Sequence, residues 1–152
     1  MKNENNFTIL LIEKDQLIIE LIKKYIISHT KIQSLSIESI SDPDHVFNIF
    51  KKHHSKPNLI ILSEPVQHIQ FSKEIPSRIQ QIKKVSPDTE VLIISNPLNV
   101  EQVLYTFRSG AFDLIIKDEH TNKNILNAIH RLYLRQQDCL KDNGSKDWVI
   151  AN

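Results

Sequence analysis

A chain of 152 residues, 40% of them hydrophobic, supports one domain with one core and leaves no room for a second. Its 19 basic and 18 acidic residues leave a formal net charge of +1, which excludes a whole-molecule field that would draw in nucleic acid or an anionic membrane. The single cysteine, Cys139, excludes an internal disulfide, and two glycines, Gly110 and Gly144, are too few for the usual phosphate-cradling loops. Runs such as Ile9 to Ile12 and Val91 to Ile94 fall far short of the ~20 residues that cross a bilayer. The polar start, Met1 to Asn6, does not resemble a signal peptide, so a cytoplasmic protein is expected.

Phe7 to Ile12 is an apolar run that stops at Glu13-Lys14-Asp15, where Asp15 is placed to cap a helix. Ile18, Leu21, Ile22 and Tyr25 follow at helical spacing and predict an amphipathic helix ending near Ser28 or His29. Leu35 to Ile40 alternates more, as a strand near a sheet edge does. Asp42 before Pro43 starts a second helix with a face of Val46, Ile49, Phe50 and His53.

Pro57 to Pro65 holds an apolar strand with no polar residue between Asn58 and Ser63, and reads as the centre of a parallel sheet covered on both faces. Glu64 to Ile75 reads as a long loop, and a helix is expected from about Pro76 with Ile79, Ile82 and Val85 on its face. Ser86 to Thr89 is a turn before the strand Glu90 to Ser95. Asn99 caps a helix carrying Val100, Val103, Leu104 and Phe107, and Gly110 closes it. Phe112 to Ile116 is a short strand ending in Lys117. Thr121 then caps a last helix through Ile125, Leu126, Ile129, Leu132 and Tyr133.

Five βα units in succession predict an α/β fold, a doubly wound five-stranded parallel sheet with helices on both faces. The expected organisation is a disordered N-terminus over 1–6, a domain over 7–138 and a polar C-terminal tail over 139–152. In such sheets the functional residues lie where strands hand over to loops, here Glu13, Lys14, Asp15, Ser63, Glu64, Ser95, Asn96 and Lys117. The seven histidines are scattered, with His53 and His54 adjacent rather than a turn apart, and read as solvated residues rather than metal ligands.

The stretches Ile9 to Asp15, Lys56 to Ser63, Ser86 to Ser95 and Arg108 to Lys117 together resemble a bacterial response-regulator receiver domain, CheY-like and flavodoxin-like in fold, over about Phe7 to Gln137. The resemblance implies two-component (phosphorelay) signalling, in which a histidine kinase phosphorylates an aspartate at the end of the third strand. Ser63 stands at that position, and a serine hydroxyl without an adjacent base is a weak nucleophile. The acidic pair that helps hold Mg²⁺ in the family corresponds to Glu13 and Lys14, beside Asp15, and an ammonium does not ligate a metal.

Ser95 and Lys117 match the hydroxyl and the lysine that contact the phosphoryl group, whereas Asp118 replaces the usual proline and Leu114 the aromatic switch residue. The resemblance therefore implies a degenerate pseudo-receiver, with no metal, no cofactor and no catalytic residue. Lys14 is expected to take the electrostatic place of the metal against Glu13, Asp15 or Glu64.

Such a module acts through a protein partner, or through a homodimer, on the surface of the fourth helix, fifth strand and fifth helix, where Tyr105, Arg108, Asp113, His120 and Arg131 are the exposed candidates. The alternatives are a phosphorylation-competent receiver using Glu64 or Ser63 and a small flavodoxin-like ligand-binding protein. Neither a nucleic acid nor a membrane is an expected partner.

Overall fold

The computed structural model describes residues 6–52, 56–63 and 74–150, apart from the side chains of 141–150. Strands β1 (Phe7–Ile12), β2 (Leu35–Ile40), β3 (Leu59–Ser63), β4 (Glu90–Ser95) and β5 (Asp113–Ile116) alternate with helices α1 (Gln16–His29), α2 (Val46–Lys52), α3 (Glu74–Val85), α4 (Val100–Arg108) and α5 (Thr121–Ile150). The strands form one sheet in the order β2-β1-β3-β4-β5, and every neighbouring pair is parallel. Strand β3 lies in the middle with all five residues buried, as a strand covered on both faces must.

Alternation along each strand sends side chains into two cores. Ile9 and Leu11 of β1, Leu59 and Ile61 of β3, and Leu92 and Ile94 of β4 pack with Ile19, Ile22 and Ile26 of α1 and Ile125, Ile129 and Leu132 of α5. Their neighbours Leu10, Ile12, Ile60, Leu62, Val91 and Ile93 pack on the other face with Val46 and Phe50 of α2 and Ile75, Ile79 and Ile82 of α3.

The caps explain where the helices begin. Asp15 accepts from Leu17 N at 2.8 Å and Ile18 N at 3.3 Å. Asn99 and Gln102 form a reciprocal capping box at 2.8 and 2.9 Å. Asp42 is a cap as expected, but Pro43–His45 first forms a 3-10 turn that runs into α2. Gly110 follows α4 with φ +109°, a conformation that glycine adopts without strain.

The structure corrects several sequence expectations. Ile22 of the expected α1 face is buried and Ile18 and Tyr25 pack partly buried against the core, but Leu21 points to solvent and the fully buried residues are Ile19, Ile22 and Ile26, so the inward stripe is turned toward Ile19 and Ile26. Helix α3 starts at Glu74 rather than Pro76, with Pro76 buried in the first turn, where its missing N–H costs no helical bond. Val85 is exposed. Thr121 is the first residue of α5 and stabilises the preceding turn, its hydroxyl accepting from Asp118 N at 2.9 Å and donating to Asp118 O at 2.8 Å.

Residues 139–150 continue α5 as helical backbone instead of forming an irregular tail. Asn6 is held by side-chain hydrogen bonds with Ser34 and Ser36, so it does not belong to a disordered end. The expectations for Met1 to Asn5, His53, His54 and the segment Glu64 to Lys73 lie outside the described residues.

Candidate functional site at the carboxyl ends of the strands

The sheet register assembles the site. Ile12 pairs with Leu62, so Glu13 lies one step beyond β1 beside Ser63, and Ser95 at the end of β4 pairs with Ile116 at the end of β5. Lys117 N donates to Ser95 O at 2.8 Å and extends that pairing by one residue. Glu13, Ser63, Ser95 and Lys117 therefore converge on one end of the sheet, as the strand-end argument predicts.

Glu13 is the most constrained of these residues. Only 3% exposed, it accepts from Lys14 N at 2.9 Å and Asp15 N at 3.1 Å through one carboxylate oxygen, Oε1. The other oxygen, Oε2, is buried without a hydrogen-bond partner. Sequence reasoning missed this orphan, because hydropathy shows that a strand has ended and not which oxygen of the next residue is enclosed.

Lys14 is exposed, and its ammonium makes no ion pair with Glu13 or Asp15 among the described residues. Backbone amides, not the lysine, meet the Glu13 charge, which corrects the expectation that Lys14 stands in for a metal at that carboxylate. Asp15 spends an oxygen on the α1 cap. Glu64 lies outside the described residues.

Ser63 is buried at 6% exposure at the end of β3, and Ser95 is fully buried with its hydroxyl donating to Asn96 O at 2.9 Å. Lys117 is half-buried, and Leu114 is half-buried against the core on the α2 and α3 side. Asp118 accepts from His120 N at 2.7 Å and belongs to the turn before α5.

The Mg²⁺ that the family resemblance brings with it does not fit these donors. A hard, strongly hydrated dication calls for several oxygen ligands with anionic charge among them. Here Glu13 has one oxygen already committed, the second acidic position holds the cationic Lys14, and Ser63 offers a neutral hydroxyl.

The face of α4, β5 and α5 carries the other candidates. Tyr105 and Arg108 are exposed on α4, and His120 is exposed beside Glu119, 3.4 Å away. Asp113 and Arg131 form an ion pair between β5 and α5, so these two side chains satisfy each other. The guanidiniums of Arg131 and Arg135 lie 5.6 and 4.9 Å from the centroid of the Phe112 ring.

The predicted apolar face of α4 does not pack inward. Val100 (74% exposed), Leu104 (47%) and Phe107 (42%) form a solvent-facing stripe, while the buried residue of α4 is Thr106, whose hydroxyl donates to Gln102 O at 2.8 Å. Helical spacing identifies a face and not what covers it. A cleft of about 580 Å³ lies at the opposite end of the sheet, lined by Phe7, Asn58, Tyr133 and Gln136 among others, away from the strand-end residues.

No protein-family model and no curated protein matches the sequence. Solved structures do match. An orphan response regulator of H. pylori superposes with a TM-score of 0.67 at 20% identity, covering 83% of this chain and 95% of the other. The receiver domain of NtrX from Brucella abortus gives 0.61 at 25% identity, covering 82% and 98%. An atypical orphan response regulator, for which a phosphorylation-independent regulatory mechanism is described, gives 0.64 at 19% identity, covering 82% and 93%. With the strand order and the helices on both faces, these matches give the chain the fold of a response-regulator receiver domain.

Proposed function

We propose that the chain is a two-component signalling module of the receiver type, acting in the cytoplasm by binding a protein partner without aspartyl phosphorylation, metal or catalysis. The observation that carries this reading is the substitution at the reacting position: Ser63 ends β3 where the family places its aspartate, and Lys14 follows Glu13 where the family places a second acid. Ser95 and Lys117 remain at the ends of β4 and β5, so the anion-binding half of the site is kept while the nucleophile is not.

The partner surface in this reading is the face of α4, β5 and α5. Its support is the exposed stripe Val100, Leu104 and Phe107, flanked by Tyr105 and Arg108, an apolar centre with a polar rim. A homodimer through this face is tested by light scattering. The net charge of +1 favours a protein over a nucleic acid as the occupant.

Incubation with Mg²⁺ and acetyl phosphate or phosphoramidate, followed by intact-mass measurement, tests the reading. No adduct is expected under conditions that label a competent receiver. A hydroxylamine-labile adduct would be an acyl phosphate and point to Glu64, a hydroxylamine-stable one would point to Ser63, and either overturns the proposal.

A further inference from the structure

We propose that helix α4 pairs with α4 of a second copy of this chain, antiparallel, with Leu104 close to the two-fold axis. This inference rests on the partner-binding reading above and names the partner and its orientation. The seam is the solvent-facing stripe Val100, Leu104 and Phe107, whose spacings of four and three are those of helices that pair along an apolar edge. At 100° per residue the three lie within an arc of about 60° and span about 10 Å along the axis, turned away from the buried Thr106.

The charges beside the seam select the occupant and its direction. Glu101 and Arg108 are both exposed, and neither forms an ion pair among the described residues. They stand one heptad apart and so on the same flank of the seam, Glu101 in the first turn of α4 and Arg108 in the last. A two-fold axis perpendicular to both helices brings that flank of one copy against the same flank of the other with its direction reversed. Glu101 of each copy then meets Arg108 of the other, and Val100 of each lies beside Phe107 of the other. The helix dipoles also oppose, each positive end beside a negative one. A parallel pair would instead set Glu101 and Arg108 against the uncharged flank of Val103, with the dipoles side by side. One sequence thus supplies both halves of the complement, which is the reason to name a second copy rather than a different protein.

The test is sedimentation equilibrium of the full chain and of two variants, alone and mixed. The wild type is expected to dimerise with a Kd on the order of 100 µM, as suits two short helices at the small end of interface sizes. Glu101→Lys sets basic residues face to face and Arg108→Glu sets acidic ones, so each variant alone should dimerise at least about tenfold more weakly. Mixed in equal amounts the two should recover a dimer, because the new lysine meets the new glutamate while the native Arg108 of one meets the native Glu101 of the other. Leu104→Ser removes the centre of the seam and should weaken the dimer without recovery in either mixture. All three positions are exposed, and a thermal melt of each variant checks that it folds.

A wild type that stays monomeric up to about 1 mM, tenfold above the expected constant, overturns the inference and leaves the stripe to a different protein. Single variants that dimerise as the wild type does, or a mixture of the two that stays monomeric, also overturn it. Failure here is separable from failure of the proposed function. A monomeric chain that stays unlabelled by acetyl phosphate loses only this inference, whereas one that pairs as described and becomes labelled keeps the interface and loses the phosphorylation-independent reading.

Discussion

Lys14 and Gly110 have opposite consequences that their residue types alone do not convey. Lys14 sits among acids in the sequence, yet its side chain is exposed and unpaired with Glu13 and Asp15, so Lys14→Ala should change stability by no more than about 0.5 kcal/mol in a urea melt. Gly110 has φ +109°, and a Cβ there would meet Lys83 Cγ at 3.4 Å. Gly110→Ala should cost about 1–2 kcal/mol, chiefly from backbone strain, in the same experiment. Asn58 is similarly load-sharing: its Oδ1 accepts from Thr8 N at 2.8 Å and its Nδ2 donates to Gln136 at 3.1 Å, joining β1 to α5. The caps Asp15 and Asn99 were legible in the sequence because a cap is a local property of a few residues. The orphaned oxygen of Glu13 was not, because its burial is a property of the folded molecule and not of its neighbours in the sequence.

At the scale of the elements, spacing located the five strands and five α-helices of the described residues, while packing decided which faces they bury. Helix α4 shows the gap: its apolar period is real, but Thr106 faces inward and Val100, Leu104 and Phe107 face out. Leu104→Ser should therefore leave the melting temperature within about 2 °C, a shift that corresponds to under 1 kcal/mol, while weakening binding to a partner or a second copy.

The contact between α1 and α5 predicts a pH dependence. His130 on α5 lies 3.4 Å from Thr30 Oγ1, and its Nε2 is 3.5 Å from the Lys31 N–H. Burial first, and the nearby Lys31 charge second, push the His130 pKa below its ordinary value of 6.5. The unfolded chain then binds a proton more readily than the folded one. Stability should be complete above about pH 6.5 and fall as the pH drops through the lowered folded value. His130→Gln should flatten that part of a stability profile measured by urea melting between pH 5 and 8.

On the scale of the whole molecule, the apolar runs were enough to infer a parallel sheet with β3 at its centre, because only a strand covered on both faces can be apolar on both. The strand ends were legible for the same reason, whereas the length of α5 was not: Gly144 and the polar residues after Cys139 look like a terminus, yet the helical backbone runs to Ile150. The two cores share one sheet and should unfold together. Ile79→Ala on one face and Ile129→Ala on the other should each cost about 2–5 kcal/mol, add to within about 0.5 kcal/mol, and preserve a single transition in urea.

The strand order β2-β1-β3-β4-β5 also bears on how the chain can assemble during synthesis. After β1, every strand joins beside one already made: β2 and β3 on the two edges of β1, β4 on β3, and β5 on β4. No strand has to wedge between two that are already paired, so the sheet can grow outward in the order the ribosome delivers it. The side of the sheet covered by α1 is closed last, when α5 arrives with Ile125, Ile129 and Leu132. Until then the nascent chain carries one finished apolar face and one half-covered one, and that exposed half is where a chaperone would find it.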